Sequence, residues 1–347
     1  MRILPVVLFL LLLPHLLISG NKKSGDTLPP PPRHDTLYIH DYRHLLTVRA
    51  FGLIQDTRLV IREEESGNII FKPNLPFKLG FAGYYRWFGL GLSFYSPVSF
   101  VDTKKNGETS RVDLRINLYS NIVALEAHFQ RFRGFYISNF PGPGEGAHFT
   151  NPTMLVYSIG IDGLYLYNHK RFSFLSSYFQ NEWQKKSAGS LVIRAGVHIT
   201  TLDAPGGILP DEFIATNGFG TIRNYSKGTL TSLNLTPGYA YNLVILKRCY
   251  LHATVMAGPA YNLMADRSEG TRENLDVFSL QISLRGSLGY NGNKFHAGFS
   301  AVLHGFQPLA SKDSNFYFDV PQYRIWAGTR FDVFRKNRKK NSTFDAR

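Results

Sequence analysis

Residues 111–121 read RVDLRINLYSN. Arg111, Asp113, Arg115 and Asn117 alternate with Val112, Leu114, Ile116 and Leu118. Successive side chains of a strand point to opposite faces, so this stretch carries a charged face and an aliphatic face. Two environments accept such a strand. One is a sheet over a soluble core with its back to water. The other is a wall with lipid outside and water inside.

The same alternation recurs along the chain. Segment 155–168 sets Tyr157, Ile159, Ile161, Tyr165 and Tyr167 against Ser158, Gly160 and Asp162. Segment 189–201 sets Leu191, Ile193, Val197 and Ile199 against Ser190, Arg194, Gly196 and His198. Segments 230–245, 249–263, 276–290 and 322–334 repeat the pattern. Connections alternate in length: short near 87–89, 121–123, 168–171, 246–248 and 291–294, long near 99–109, 139–153, 205–228, 265–274 and 309–319. Beyond about residue 42 no convincing amphipathic helix is read.

Three features place lipid outside. Most of the segments exceed the ~9–11 residues that a tilted membrane strand needs, whereas soluble strands cluster near about 5–6. The polar face is built of Gly, Ser, Asn and Thr with occasional Arg or Asp, not of the Lys and Glu of a water-facing surface. The apolar faces end in aromatics, as at Tyr84, Tyr85, Trp87, Tyr165, Tyr167 and Tyr323, which is how interfacial girdles read. In hydrocarbon every backbone N–H and C=O must be paired, so such hairpins close on themselves. The expected fold is all-β: an antiparallel up-and-down transmembrane barrel of about 12 strands, with roughly 10 to 14 open. The alternative is a secreted soluble β protein.

The flanks read differently. Arg2, an apolar run and small residues at Ser19–Gly20 make residues 1–20 a signal peptide. Residues 21–41, with prolines 29–32, read as an extended periplasmic linker, residues 42–334 as the barrel, and 335–347 as a basic tail. Of the formal net charge of +14, the tail RKNRKKNSTFDAR holds +5. An exported protein rarely meets nucleic acid, so that tail reads as solvated or as lipid-directed. Cys249 is the only cysteine, so no internal disulfide forms. Phe334, closing the last strand, looks like the signal read by barrel-assembly machinery. The expected location is the outer membrane of a Gram-negative bacterium with both termini periplasmic.

QNEWQKKSAGS (180–190), FKPN (71–74) and GYAYN (238–242) resemble an uncharacterised family of Bacteroidota-type outer-membrane barrels, known only as a domain of unknown function. The resemblance covers most of the chain after residue 35, and the Gln180–Ser190 stretch is its most specific part. It implies fold and location, and no activity or substrate.

Phasing turns Arg111, Asp113, Arg115, Glu126, His128, Asp162, Gln180, Glu182, Arg194, His198, Arg285, Arg324, Arg330 and Asp332 toward the lumen. A structural role is one reading, since each enclosed charge needs a partner. A selectivity ring or ligand site is the other, with arginines outnumbering carboxylates by one and a weak lean to anions. The function expected first is a channel or small-solute transport barrel; second, a structural or surface-interaction barrel with a plugged lumen; third, a lipid-modifying enzyme using His128, His252 and Ser190. No G-x-S-x-G elbow, metal-ligand spacing or cofactor motif is read, and the glycines of 140–146 precede no helix pattern that would make a phosphate cradle.

Overall fold

The computed structural model describes residues 34–63, 67–75, 77–85, 88–96, 102–141, 148–209, 211–217, 225–268, 271–308 and 314–332. The signal peptide, most of the linker, the basic tail and most of the 140–146 glycine loop lie outside these residues.

The strands are β1 (Ile39–Asp41), β2 (Leu46–Gln55), β3 (Arg58–Glu63), β4 (Gly67–Lys72), β5 (Lys78–Tyr85), β6 (Phe88–Tyr95), β7 (Ser110–Tyr119), β8 (Val123–Ile137), β9 (Thr150–Leu166), β10 (Glu182–Gln184), β11 (Ala188–Asp203), β12 (Tyr225–Ile245), β13 (Cys249–Ser268), β14 (Thr271–Asn291), β15 (Phe295–Pro308), β16 (Ser314–Asp319) and β17 (Gln322–Phe331). Among the described residues three short helices join them: α1 (Thr103–Asn106), α2 (Phe174–Tyr178) and α3 (Asp211–Asn217).

The wall runs β7-β8-β9-β11-β12-β13-β14-β15-β17-β2-β5-β6, antiparallel at every step. These staves number twelve, in line with the expectation. Several are long: β12 and β14 have 21 residues each. Between the end staves β6 and β7 no ladder joins the described residues. Side chains reach β7 from β5 and β6 instead. Lys78 Nζ meets Asp113 Oδ2 at 2.5 Å, and the Arg111 guanidinium lies 3.5 Å from the Tyr95 ring centroid.

Exposure follows the two-residue period. On β7, Val112, Leu114, Ile116 and Leu118 face outward and are exposed, Leu114 and Ile116 at 61% each, while Arg111, Asp113 and Arg115 turn inward and are half-buried. Outward aliphatics continue around the wall, among them Leu191, Leu235, Val255 and Leu284. Tyr165, Tyr167, Tyr239, Tyr241 and Tyr290 form an exposed aromatic level at one end. Among the described residues no helix is long and apolar enough to cross a membrane; the crossing elements are strands.

The two ends carry different chemistry. At one end β3, β4, residues 204–209 and α3 cover inward-facing side chains of β8, β9 and β11. Leu59, Ile69, Phe71, Phe132, Val156, Leu202 and Phe213 form that apolar core. At the other end the 167–187 connection turns into the barrel as a plug. A short turn is expected near 168–171, and FLSSYF is too brief for a helical period to register in sequence. Ser173 caps α2, its Oγ accepting from the Ser176 N–H at 3.0 Å. Strand β10 then pairs with β1, so the last residues of the expected linker are ordered by the plug.

Candidate functional site

The plug is bolted to inward side chains of five staves. From β17, Arg330 donates through Nε to the Gln180 carbonyl at 3.0 Å and through Nη2 to Asn291 Oδ1 at 2.5 Å. From β14, Asn291 Nδ2 donates to the Ser176 and Glu182 carbonyls, and Ser287 Oγ to the Ser177 carbonyl. From β13, Tyr250 Oη donates to the Ser177 carbonyl at 3.0 Å. From β12, Asn242 Nδ2 donates to the Ser173 carbonyl at 2.9 Å. From β2, Arg49 Nη1 donates to the Tyr178 carbonyl at 2.5 Å and to Gln180 Oε1 at 3.2 Å. Orphan carbonyls at the end of a one-turn helix are thus satisfied by the wall. Gln180 has a φ of +56°, the left-handed region. It is held there by Arg330 on its carbonyl and by Tyr250 and Arg49 on its amide side chain.

Within the plug, Glu182 is buried between Ser173 Oγ at 2.6 Å, Asn121 Nδ2 at 3.0 Å and Arg43 Nη2 at 3.5 Å. Burial raises its pKa above the ordinary glutamate value, and the Arg43 charge only partly offsets that. Asp41 shifts the other way. Burial opposes ionisation there too, but hydrogen bonds from the Arg43 side chain and backbone outweigh it, and its pKa falls.

Above the plug lies a cavity of about 310 Å³. Two charge clusters line it, and a third, centred on Asp113, touches it through Arg115. Glu126 receives both Nη atoms of Arg285 across the lumen, at 2.7 and 2.8 Å, and the Tyr119 hydroxyl. Asp162 receives Arg194 Nη2 at 2.8 Å and meets His198 Nε2 at 3.0 Å. Asp113 is shared by Lys78 and by Arg115 Nε, the latter at 3.2 Å. Gly196 makes the second cluster fit: a Cβ there would strike the Asp162 carboxylate. The small polar face of β11 is what leaves room for a layer of long side chains.

The expected lumen residues therefore divide. Asp113, Arg115, Glu126, His128, Asp162, Arg194, His198, Arg285 and Arg324 turn inward on staves around the cavity. Arg111 faces in but stacks on Tyr95 at the β6–β7 junction. Gln180 and Glu182 belong to the plug, and Arg330 serves it. Asp332 is a correction: β17 ends at Phe331, the strand phase lapses, and Asp332 is exposed beyond the stave. Arg49 is missing from the expected set, although TVRAF at 47–51 carries it on the inward phase of β2. Lys78, Asn242, Tyr250, Ser287 and Asn291 act only through the plug or the junction, which no local pattern encodes.

His128 Nε2 lies 3.2 Å from Ser158 Oγ. No carboxylate completes a relay, because Asp162 is taken by Arg194 and His198. His252 is buried between Asn242 and Thr254, and Ser190 Oγ donates to the Leu191 carbonyl at 2.8 Å; both are structural contacts. Among the described residues no group of three or more His, Cys, Asp or Glu is placed to hold a metal ion.

An amphipathic antiparallel barrel with an aliphatic exterior and a charged, plugged interior defines the class of the outer-membrane barrels. Within it, the chain belongs to the family described as a domain of unknown function, DUF4421, whose model matches residues 33–331. A search of curated proteins finds no match. Solved structures similar to it include OmpT, an outer membrane protein of Vibrio cholerae, at 8% identity over 82% of this chain and 98% of that one, TM-score 0.30. The β domain of the Bordetella autotransporter BrkA matches at 10% identity over 83% and 99%, TM-score 0.34. The translocator domain of NalP from Neisseria meningitidis matches at 8% identity over 82% and 88%, TM-score 0.34.

Proposed function

We propose that this protein is an outer-membrane barrel that holds a small solute in a closed, charged lumen rather than conducting through an open pore. The observation that carries this reading is the plug: five staves bind it, mostly through backbone carbonyls, and a cavity remains above it. A segment so held blocks steady flow, and the enclosed space beyond it is at the small end of ligand pockets. Lipid surrounds the aliphatic belt, and the barrel-assembly machinery inserts the chain. The plug end, where most connections are short, faces the periplasm together with both termini.

Planar-bilayer recording tests the reading. Wild-type protein shows no steady conductance. The double variant Arg330→Ala with Asn291→Ala, which frees the plug from β17 and β14, conducts. A stable open-pore conductance from wild-type protein overturns the proposal.

A further inference from the structure

Among the described residues, the charges around the cavity do not balance. Five arginines line it, Arg49, Arg115, Arg194, Arg285 and Arg324, against two carboxylates, Glu126 and Asp162. Glu126 neutralises Arg285, and Asp162 neutralises Arg194. Arg115 shares Asp113 with Lys78, so one carboxylate there serves two cations. Arg49 reaches only neutral groups: the Tyr178 carbonyl, Gln180 Oε1 and the Tyr84 hydroxyl.

Arg324 has less still. Its Nε is buried with no hydrogen-bond partner, and its guanidinium rests 5.1 Å from the Phe51 ring centroid. The charged side chains acting on it are Arg49 and Arg115, both cations. Arg194, only 1% exposed, also leaves Nε and Nη1 unpartnered. A guanidinium does not shed its proton, so its enclosure without an anion is unfavourable. Sites of this kind persist where an anion completes them.

The same cavity has an apolar side. Phe51, Leu53, Leu230, Met264, Val302 and Phe318 line it as well. Arg324 and Leu53 are register partners on adjacent staves, so the cationic and apolar surfaces meet at one level.

We propose that the chamber binds a small organic anion. Its carboxylate or phosphate is received by Arg324, Arg115 and Arg49, and its apolar body lies against Phe51 and the aliphatic lining. Planar guanidinium forks take such groups bidentately. This deepens the closed-lumen reading and rests on it.

The test uses full-length protein refolded into detergent micelles in the presence of radiolabelled benzoate or phenyl phosphate, so that the ligand need not cross the plug. After removal of free label, about one equivalent stays bound. The neutral isostere benzamide does not compete, and inorganic phosphate competes at least about tenfold more weakly than phenyl phosphate, which is ~1.4 kcal/mol. Arg324→Met lowers affinity about tenfold or more, and Arg115→Gln provides a second variant if the first does not fold. Binding of neither anion, equal competition by benzamide, or unchanged affinity in both variants overturns the proposal. Inorganic phosphate competing as well as phenyl phosphate overturns the assignment of an apolar body. Conductance of the same samples separates the readings: a non-conducting barrel that binds neither anion refutes the anion site alone, whereas a conducting wild type refutes the closed lumen.

Discussion

Glu126 on β8 and Arg285 on β14 meet across the lumen through two parallel hydrogen bonds of 2.7 and 2.8 Å. Their staves are separated by β9, β11, β12 and β13 along the wall, so the pair ties opposite sides of the barrel. Removing one partner leaves an enclosed charge uncompensated. Arg285→Met is expected to destabilise the barrel by about 3 kcal/mol. The double variant with Glu126→Gln loses less than the sum of the singles. Urea titration of refolded protein, run as a double-mutant cycle, measures both quantities; additive losses refute the pairing.

Arg324 predicts the opposite sign. With no anionic partner among the described residues, it opposes folding of the empty barrel. Arg324→Met raises stability in anion-free buffer by on the order of 1 kcal/mol, while Arg285→Met lowers it. The urea midpoint reports this, and a loss of stability in Arg324→Met contradicts an unpaired cation.

Gln180 combines a left-handed backbone with a side chain that bridges Arg49 and Tyr250. Gln180→Ala loses those bonds and keeps the strain, for a loss of about 2 kcal/mol. Gln180→Gly loses the same bonds but relieves the backbone, and is more stable than the alanine variant by about 1 kcal/mol. Limited proteolysis at 169–187 follows plug release in both.

Glu182 gives the plug a pH dependence of definite sign. Its folded pKa is raised by burial, so the folded state holds the proton more tightly than the unfolded chain. Its contribution is fully present below the ordinary glutamate pKa and is lost as pH rises through the folded value. Asp41, with its pKa lowered by Arg43, contributes above the ordinary aspartate pKa and loses that as pH falls. Glu182→Gln therefore removes a decline in stability with rising pH, and Asp41→Asn removes a decline with falling pH. Melting temperatures from pH 3 to 8 distinguish the two slopes.

The outer face of β7 supplies a depth test. Leu114 is exposed on the aliphatic side. Leu114→Arg destabilises the barrel in phospholipid vesicles by about 2–4 kcal/mol if that position lies near the bilayer midplane. The same variant in mild detergent loses less. Equal effects in the two media contradict lipid contact at Leu114.

RVDLRINLYSN by itself determined which face of β7 meets oil and which carries charge, because a period of two leaves no freedom once one face is aliphatic. The same argument, applied to 155–168, 189–201 and 276–290, specified the barrel, its approximate strand number and the inward position of Arg194, Asp162 and Arg285. It failed at Asp332, where the strand had ended, and at Gln180 and Glu182, whose segment is not a stave. Partnership was decided only by the tertiary structure. Glu126 finds Arg285 because the sheet curls until β8 and β14 face each other. Arg324 has no carboxylate partner among the described residues because the charged side chains that closure brings near it, Arg49 and Arg115, are themselves cations. The plug exists because Asn242, Tyr250, Ser287, Asn291 and Arg330, scattered over nearly 90 residues of sequence, converge on the carbonyls of one short helix. Alternation is a local property of the chain and is legible in it, whereas convergence across a lumen depends on closure, which no single segment contains.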